Sequence, residues 1–500
     1  MRSRIAMALL LALLAPACAG GARIPRSQLA GWHAAEARGT RLIGDLAAEE
    51  IQRLAGDLVR FDAIFAKLAG WPEAANTTPL VICLFRSREI AKHFGLGRGV
   101  AGWALGALDG SFITVEISSG RDEDRNTLLH EYTHVLLSRN QRAPLPRWYN
   151  EGLASYFSTV SERNGAVVVG AAPGALAARV TGRGAMPLDR LFGVSLVGMR
   201  FDEVADFYAT SWALSHYLLS SPSGRRELSE FVKQLARGVP SEQAQPAAFG
   251  RSVDRLGEEL AVHVAHLNRG VPIETLIDAS TFGAPDPPPV VALDAGEVAY
   301  ALGRLALAMV EMDEAADWET GPDLARNLLT LALAEDVPEA PRVEAALGEA
   351  RALSGDAEGA LEAVQAALAR APDDSRVRLH AARVALLRAE AEAPSGSPAA
   401  LAEAEKQYRH ALTLDPESAS AWFGLGQTLV RMGRPDDAFA ALEAARRLGW
   451  SRPLDIALAR VHLDRGEPEQ AADLLRPIAQ DPHGGPQQEE AAELLEQTLP

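Results

Sequence analysis

The chain is 500 residues long, more than one ordinary hydrophobic core accommodates, so two domains or a domain joined to a repeat array are expected. Hydrophobic residues make up 48% of it and charged residues 23%, usage that excludes both wholesale disorder and a polytopic membrane protein. A formal net charge of -17 without a dense basic run repels phosphate backbones, which excludes nucleic acid as an expected partner.

The first 22 residues read as an export signal: Arg2 and Arg4 form the positive end, and Ile5 to Leu14 form an apolar run too short to span a membrane. The small residues of "APACAGG" offer cleavage after Ala17 or Ala19. Cys18 stands where a bacterial lipoprotein carries its lipid, so the protein is expected to be exported, either soluble in the periplasm or lipid-anchored in the cell envelope. That anchor is the only expected contact with a membrane. Cys83 is the only other cysteine, so no disulfide framework forms; its apolar surroundings "PLVICLFRS" read as a strand with a small buried hydrophobe.

Next, Ser27 to Leu68 carries apolar residues at helical spacing and ends at the breaker cluster Gly70-Trp71-Pro72, which predicts one or two helices. Strands are expected at Pro79 to Phe85 and at Gly110 to Ser118, with Gly95 to Asp109 as connecting loop. Helices follow at Arg125 to Ser138 and Arg147 to Thr159, then a strand or hairpin at "GAVVVGAA". Further helices are expected at Phe201 to Leu219, Arg225 to Ala236 and Val253 to Leu267. The four prolines of "FGAPDPPPVVALD" mark a linker, so the chain divides into a domain over 23–282, a linker over 283–293 and a second domain over 294–500.

Beyond the linker the composition shifts to Ala, Leu, Glu and Arg, with self-similarity at about 34 residues. Leu347, Gly348, Gly355, Ala360, Ala367 and Pro372 form one unit, and Trp422, Leu425, Gly426, Gly433, Ala438 and Ala445 another. Ala404, Tyr408, Ala411 and Pro416 supply a second helix between them; Leu458, Ala459, Gly466, Ala471 and Leu475 form a later unit. These residues resemble the tetratricopeptide repeat, which implies an all-α solenoid of about four to five repeats that binds a protein partner. Leu302-Gly303 and Ala325 to Ala332 fit a looser first unit, and Trp450 stands where its unit's proline is expected.

The segment "TLLHEYTHVLL" contains His130, Glu131 and His134 in the spacing His-Glu-x-x-His. On a helix, residues four apart project from one face, so both imidazoles can meet one cation with Glu131 beside them. A catalytic zinc takes three protein ligands and keeps a fourth position for water. The metzincin completion is absent, since Leu137 and Asn140 occupy the places of its glycine and histidine. Glu151 instead lies seventeen residues after His134, in "PLPRWYNEGLASYF" on the next expected helix.

The words "HEYTH" and "NEGLASYF" together resemble the peptidase MA-like zinc peptidases, the gluzincins, related to thermolysin. The resemblance implies an α+β zincin-like N-terminal domain: a small sheet, the motif helix and a helical lobe, with the cleft between. It implies Zn2+ held by His130, His134 and Glu151, with Glu131 as general base acting on a peptide or protein substrate. Tyr208 resembles the family's later tyrosine that steadies the reacting oxygen, and His216 is a second candidate for that place. The family's acid four residues after the glutamate ligand is Ser155 here, so Asp202, Glu203, Asp206 or a backbone carbonyl is left to orient a zinc histidine. The strand "GSFITVEIS" corresponds to the zincin edge strand that pairs with substrate, or is an ordinary sheet strand. His263 and His266 read as a helix face rather than a second metal site. The rival to the peptidase reading is an envelope scaffold or binding protein whose zincin domain has little or no turnover.

Overall fold

The computed structural model describes residues 23–498 except 70–78, 98–99, 108–109, 119–120, 141–144, 194–199, 238, 240, 269–274, 284–285, 312–320, 336, 393–396, 450 and 480–484. The export signal with Cys18, the breaker cluster at 70–72 and Trp450 lie outside the described residues.

Strands β1 (His33–Ala37) and β2 (Thr40–Gly44) open the fold as an antiparallel hairpin. Arg38 and Gly39 make the turn with φ of 50° and 76°, the positive values that tight two-residue hairpin turns demand. Helix α1 (Ala48–Ala69) follows, so apart from a short 3-10 helix at Arg26–Leu29 only the later part of 27–68 is helical. The alanines of "HAAEA" favour helix locally, and cross-strand pairing overrides them. Strands β3 (Leu80–Phe85), β4 (Gly102–Ala107) and β5 (Gly110–Glu116) come next, with β4 inside the stretch expected as loop. They are followed by β6 (Ser161–Arg163), β7 (Ala166–Val169) and β8 (Thr275–Asp278), which form a separate antiparallel sheet. With β9 (Val290–Ala292), the main sheet has the order β4-β5-β3-β2-β1-β9; β3 runs parallel to β2 and β5, and the other pairs are antiparallel.

The unbroken apolar run of β3 has a direct cause, because the sheet is covered on both faces. Leu80, Ile82 and Leu84 enter a core shared with Ile51 of α1, with Leu128 and Leu129 of α2 (Arg121–Asn140) and with Leu153 of α3 (Arg147–Ser158). Trp212 of α4 (Phe201–Leu219) and Leu260 of α5 (Val253–Asn268) close this core. Val81, Cys83 and Phe85 point the other way, into a core with Trp32 and Phe94. There they meet Val298 and Leu302 of α6 (Ala295–Glu311), Leu324 and Leu328 of α7 (Pro322–Ala334), and Val343 of the helix Ala340–Leu353. Burial pushes the Cys83 thiol up to about 12, so it stays protonated as a small hydrophobe.

The end of the segment expected as a linker joins the sheet: residues 290–292 form β9, which pairs with β1, and the Leu293 N–H donates to the Trp32 carbonyl at 2.9 Å. The helices that open the second half cover the sheet rather than standing apart from it. Beyond them the chain is a series of paired helices: 340–353 with 357–370, 375–392 with 398–414, 419–431 with 435–448, and 452–464 with 468–479, before a final helix at 485–496. Gly348 and Gly426 let partner helices approach. A Cβ there would stand 2.7 Å from Val364 Cγ1 and 2.5 Å from Leu442 Cδ2. The whole is a mixed α/β region followed by an all-α solenoid. Among the described residues no helix is long and apolar enough to cross a membrane.

Candidate metal centre

Helix α2 is fixed in rotation by its buried side, which carries Leu128, Leu129, Tyr132 and Val135. The Tyr132 hydroxyl donates to Asp62 of α1 at 2.6 Å, and Arg125 donates to Asp57 at 3.1 Å and to the Val160 carbonyl at 2.7 Å. With that face held, His130 and His134 emerge one turn apart on the other, their Nε2 atoms 3.2 Å from each other.

Helix α3 begins after Pro146, and its apolar side buries Trp148, Tyr149 and Leu153. Glu151 then faces α2, with Oε2 at 3.3 Å from His130 Nε2 and 3.4 Å from His134 Nε2. The next residue, Gly152, is where α4 crosses. A Cβ would stand 2.4 Å from the Ser211 carbonyl oxygen and 2.1 Å from Ser215 Oγ, so any larger residue forces the helices apart. That close crossing brings Tyr208 to the cluster, where its hydroxyl accepts a hydrogen bond from Arg147.

His130, His134 and Glu151 thus bring three ligand atoms together, and they form the one such group of three or more among the described residues. The cluster can hold a metal ion. Glu131 lies beside it and accepts a hydrogen bond from the Ala104 N–H of β4. Burial raises the Glu131 carboxyl, as does Glu151, while the two histidines and Ala104 pull it down. For Glu151 burial also acts upward, yet both histidines hold it well below the usual carboxylate range. His134 is the mirror case: burial opposes its charge, and Glu151 and Glu131 lift it to about 9. A cation held here would take the place of the proton on His134. Burial and the Glu151 charge push the Tyr208 hydroxyl up to about 12, keeping it a proton donor.

The acceptor that orients His134 is Asn150, whose Oδ1 lies 3.2 Å from Nδ1. A proton on Nδ1 leaves Nε2 with its lone pair toward the cluster. The three acids expected for that task are engaged elsewhere: Asp206 pairs with Arg179 at 2.6 Å, Asp202 with Arg179 at 3.6 Å and Glu203 with Arg190 at 2.6 Å. Sequence reasoning misses Asn150 because an amide is a weaker acceptor than the acid the family uses, although it adjoins the ligand in "NEG". His216 is also committed elsewhere, its nitrogens 2.7 Å from His263 Nε2 and 3.0 Å from the Gly170 carbonyl. The expected edge strand needs a correction as well. β5 lies between β4 and β3, and β4 is the outer strand.

The tetratricopeptide-repeat family profile matches residues 401–453, a span of paired helices. The C-terminal region is a tetratricopeptide-repeat region. Solved structures similar to the chain include a thermophilic tetratricopeptide-repeat protein of Thermus thermophilus, at 22% identity over 40% of this chain and 98% of that one, with a TM-score of 0.34. Pseudomonas aeruginosa pilF is 19% identical over 41% of this chain and 90% of its own, with a TM-score of 0.30. A tetratricopeptide-repeat protein of Parabacteroides merdae is 16% identical over 56% and 99%, also at 0.30. No curated protein sequence matches the chain.

Proposed function

We propose that the protein is an exported zinc-dependent peptidase, with His130, His134 and Glu151 as ligands, Glu131 as general base and the repeats as the binding site for a protein partner. One observation carries the reading. The three donor atoms are 3.2, 3.3 and 3.4 Å apart, and a tetrahedron with zinc–ligand distances of about 2.05 Å has edges of about 3.3 Å. Two imidazoles and one carboxylate, with a position left open, are a catalytic rather than a structural zinc set.

When bound, zinc supplies Lewis acidity toward a carbonyl oxygen and acidifies water. Glu131 is not among the three ligands, and its carboxylate takes the proton from the attacking water and returns it to the leaving amine. Ala104 holds that carboxylate in place. Tyr208 donates to the substrate oxygen as charge develops on it. The residues 1–22 support export, with Cys18 as the anchor where the protein is lipidated.

A second reading, a binding protein with little or no turnover, is favoured by one finding: the family profile that matches falls on the repeats. Cleavage of a diverse peptide library by the full chain separates the two. The peptidase reading expects hydrolysis that a chelator abolishes and zinc restores. Glu131→Gln should slow it by roughly a hundredfold to ten-thousandfold with zinc content unchanged. Zinc bound without cleavage makes the protein a scaffold, and full activity in Glu131→Gln removes the general base.

A further inference from the structure

Resting on that reading, we infer that Arg147 is the anion-recognising residue of the site: its guanidinium, set between Glu151 and Tyr208, takes an oxygen anion of the ligand. That anion is the carboxylate at a peptide's end or the oxygen that gains charge at the bond being cleaved; both present the same chemistry to a guanidinium.

Arg147 opens α3 one turn before Glu151, and residues four apart share a helix face. Its Nε is 3.5 Å from Glu151 Oε1, whereas Oε2 faces both histidines. The two oxygens of Glu151 are therefore divided, and the guanidinium borders the cluster without standing among the ligand atoms. Tyr208 reaches the same guanidinium from α4, so two proton donors from two helices converge beside the ligand position. The Arg147 side chain is the more solvent-accessible of the pair, 34% exposed against 11% for Glu151, so a ligand from solvent can reach it.

Charge favours a cation there as well. Zinc, when bound, would offset the carboxylates of Glu131 and Glu151, and Arg147 then adds the positive charge that an anionic ligand meets. Arginine suits the task because its planar fork stays charged and binds an oxygen anion through two parallel N–H bonds. The i,i+4 pairing with Glu151 alone would be met by lysine. Two-pronged binding of an oxygen anion would not.

Inorganic phosphate is the probe, titrated calorimetrically into the zinc-loaded full chain. Arg147→Gln should weaken its binding by at least tenfold, Arg147→Lys by less, and Arg179→Gln, which alters the separate ion pair with Asp206, should leave it unchanged. In the unchanged protein, competition by acetyl-dialanine but not by its amide assigns the cation to a peptide's end. Equal competition by the two assigns it to the reacting oxygen. Unaltered phosphate affinity in Arg147→Gln, with zinc content equal to that of the unchanged protein, overturns the inference and leaves the peptidase reading standing. If the unchanged protein holds no zinc, that reading falls and this one with it.

Discussion

Both halves of the molecule bury charged side chains, and they do so for opposite ends. In the repeats, Glu349 is 2% exposed and is clamped between His380 at 2.6 Å and Arg383 at 3.2 Å, tying the helix 340–353 to the helix 375–392. Asp455 likewise meets Arg446 across neighbouring helices. Each of these acids cross-links two elements. In the N-terminal region His130, His134 and Glu151 converge on one point from two helices, with Glu131 beside them. Cross-linking explains the repeat charges without any ligand. It does not explain two imidazole nitrogens directed at each other.

The strongest way to break this division is to cut the chain between the halves. A chain ending at Phe282 respects the boundary expected from sequence but loses β9 and the apolar cover of one sheet face. That cover includes Val298, Leu302, Leu305, Leu324, Leu328, Leu329 and Val343. At about 1.5–3 kcal/mol for each buried side chain, the loss is as large as the roughly 5–15 kcal/mol that holds an ordinary domain together. We expect that fragment to be insoluble, whereas a chain ending at Arg370 should unfold cooperatively and retain zinc. A soluble, zinc-bearing fragment ending at Phe282 would restore the simpler two-domain picture.

A smaller effect should come from Glu349→Ala, which leaves His380 and Arg383 beside an empty place in the solenoid. Breaking a buried charge cluster on one side costs about 3–5 kcal/mol, to be read by chemical denaturation, with zinc content unaffected. Loss of zinc together with stability would mean that the halves do not act separately.

Smaller again is the effect of acid on the His216–His263 pair. The Gly170 carbonyl takes the proton of His216 Nε2, so His216 Nδ1 accepts from His263 Nε2–H. Burial, with His216 and His266 nearby, lowers His263 to about 4, against about 6.5 in an unfolded chain. A depressed value means the unfolded chain binds the extra proton first. The contribution is therefore complete above about pH 6.5 and is lost as pH falls toward 4. Between pH 7.5 and 5 the His263 contribution should fall by on the order of 2 kcal/mol, read as the difference between the pH profiles of the unchanged protein and His263→Gln. Identical pH profiles would show that the pair carries no such load.

The legibility of these features in the sequence followed their range. The motif helix, the Glu151 helix and the repeats were readable because four-residue spacing and a repeating unit are local patterns. The hairpin of β1 and β2 was hidden by alanines whose preference is helical, and β4 by the glycines at 102 and 106 that imitate a loop. The place of β9 depends on pairing with a strand more than 250 residues earlier (His33 with Ala292), which no local window contains. Asn150 was legible as part of a motif word but not as the residue that orients His134, because that role depends on where α2 lies relative to α3.

The most direct measurement of the central claim is the zinc content of the purified full chain and of two histidine variants, one from each kind of buried site. About one zinc per chain is expected, with loss of it in His134→Ala and retention in His216→Ala. Zinc at full stoichiometry in His134→Ala, in a folded protein, would contradict that claim.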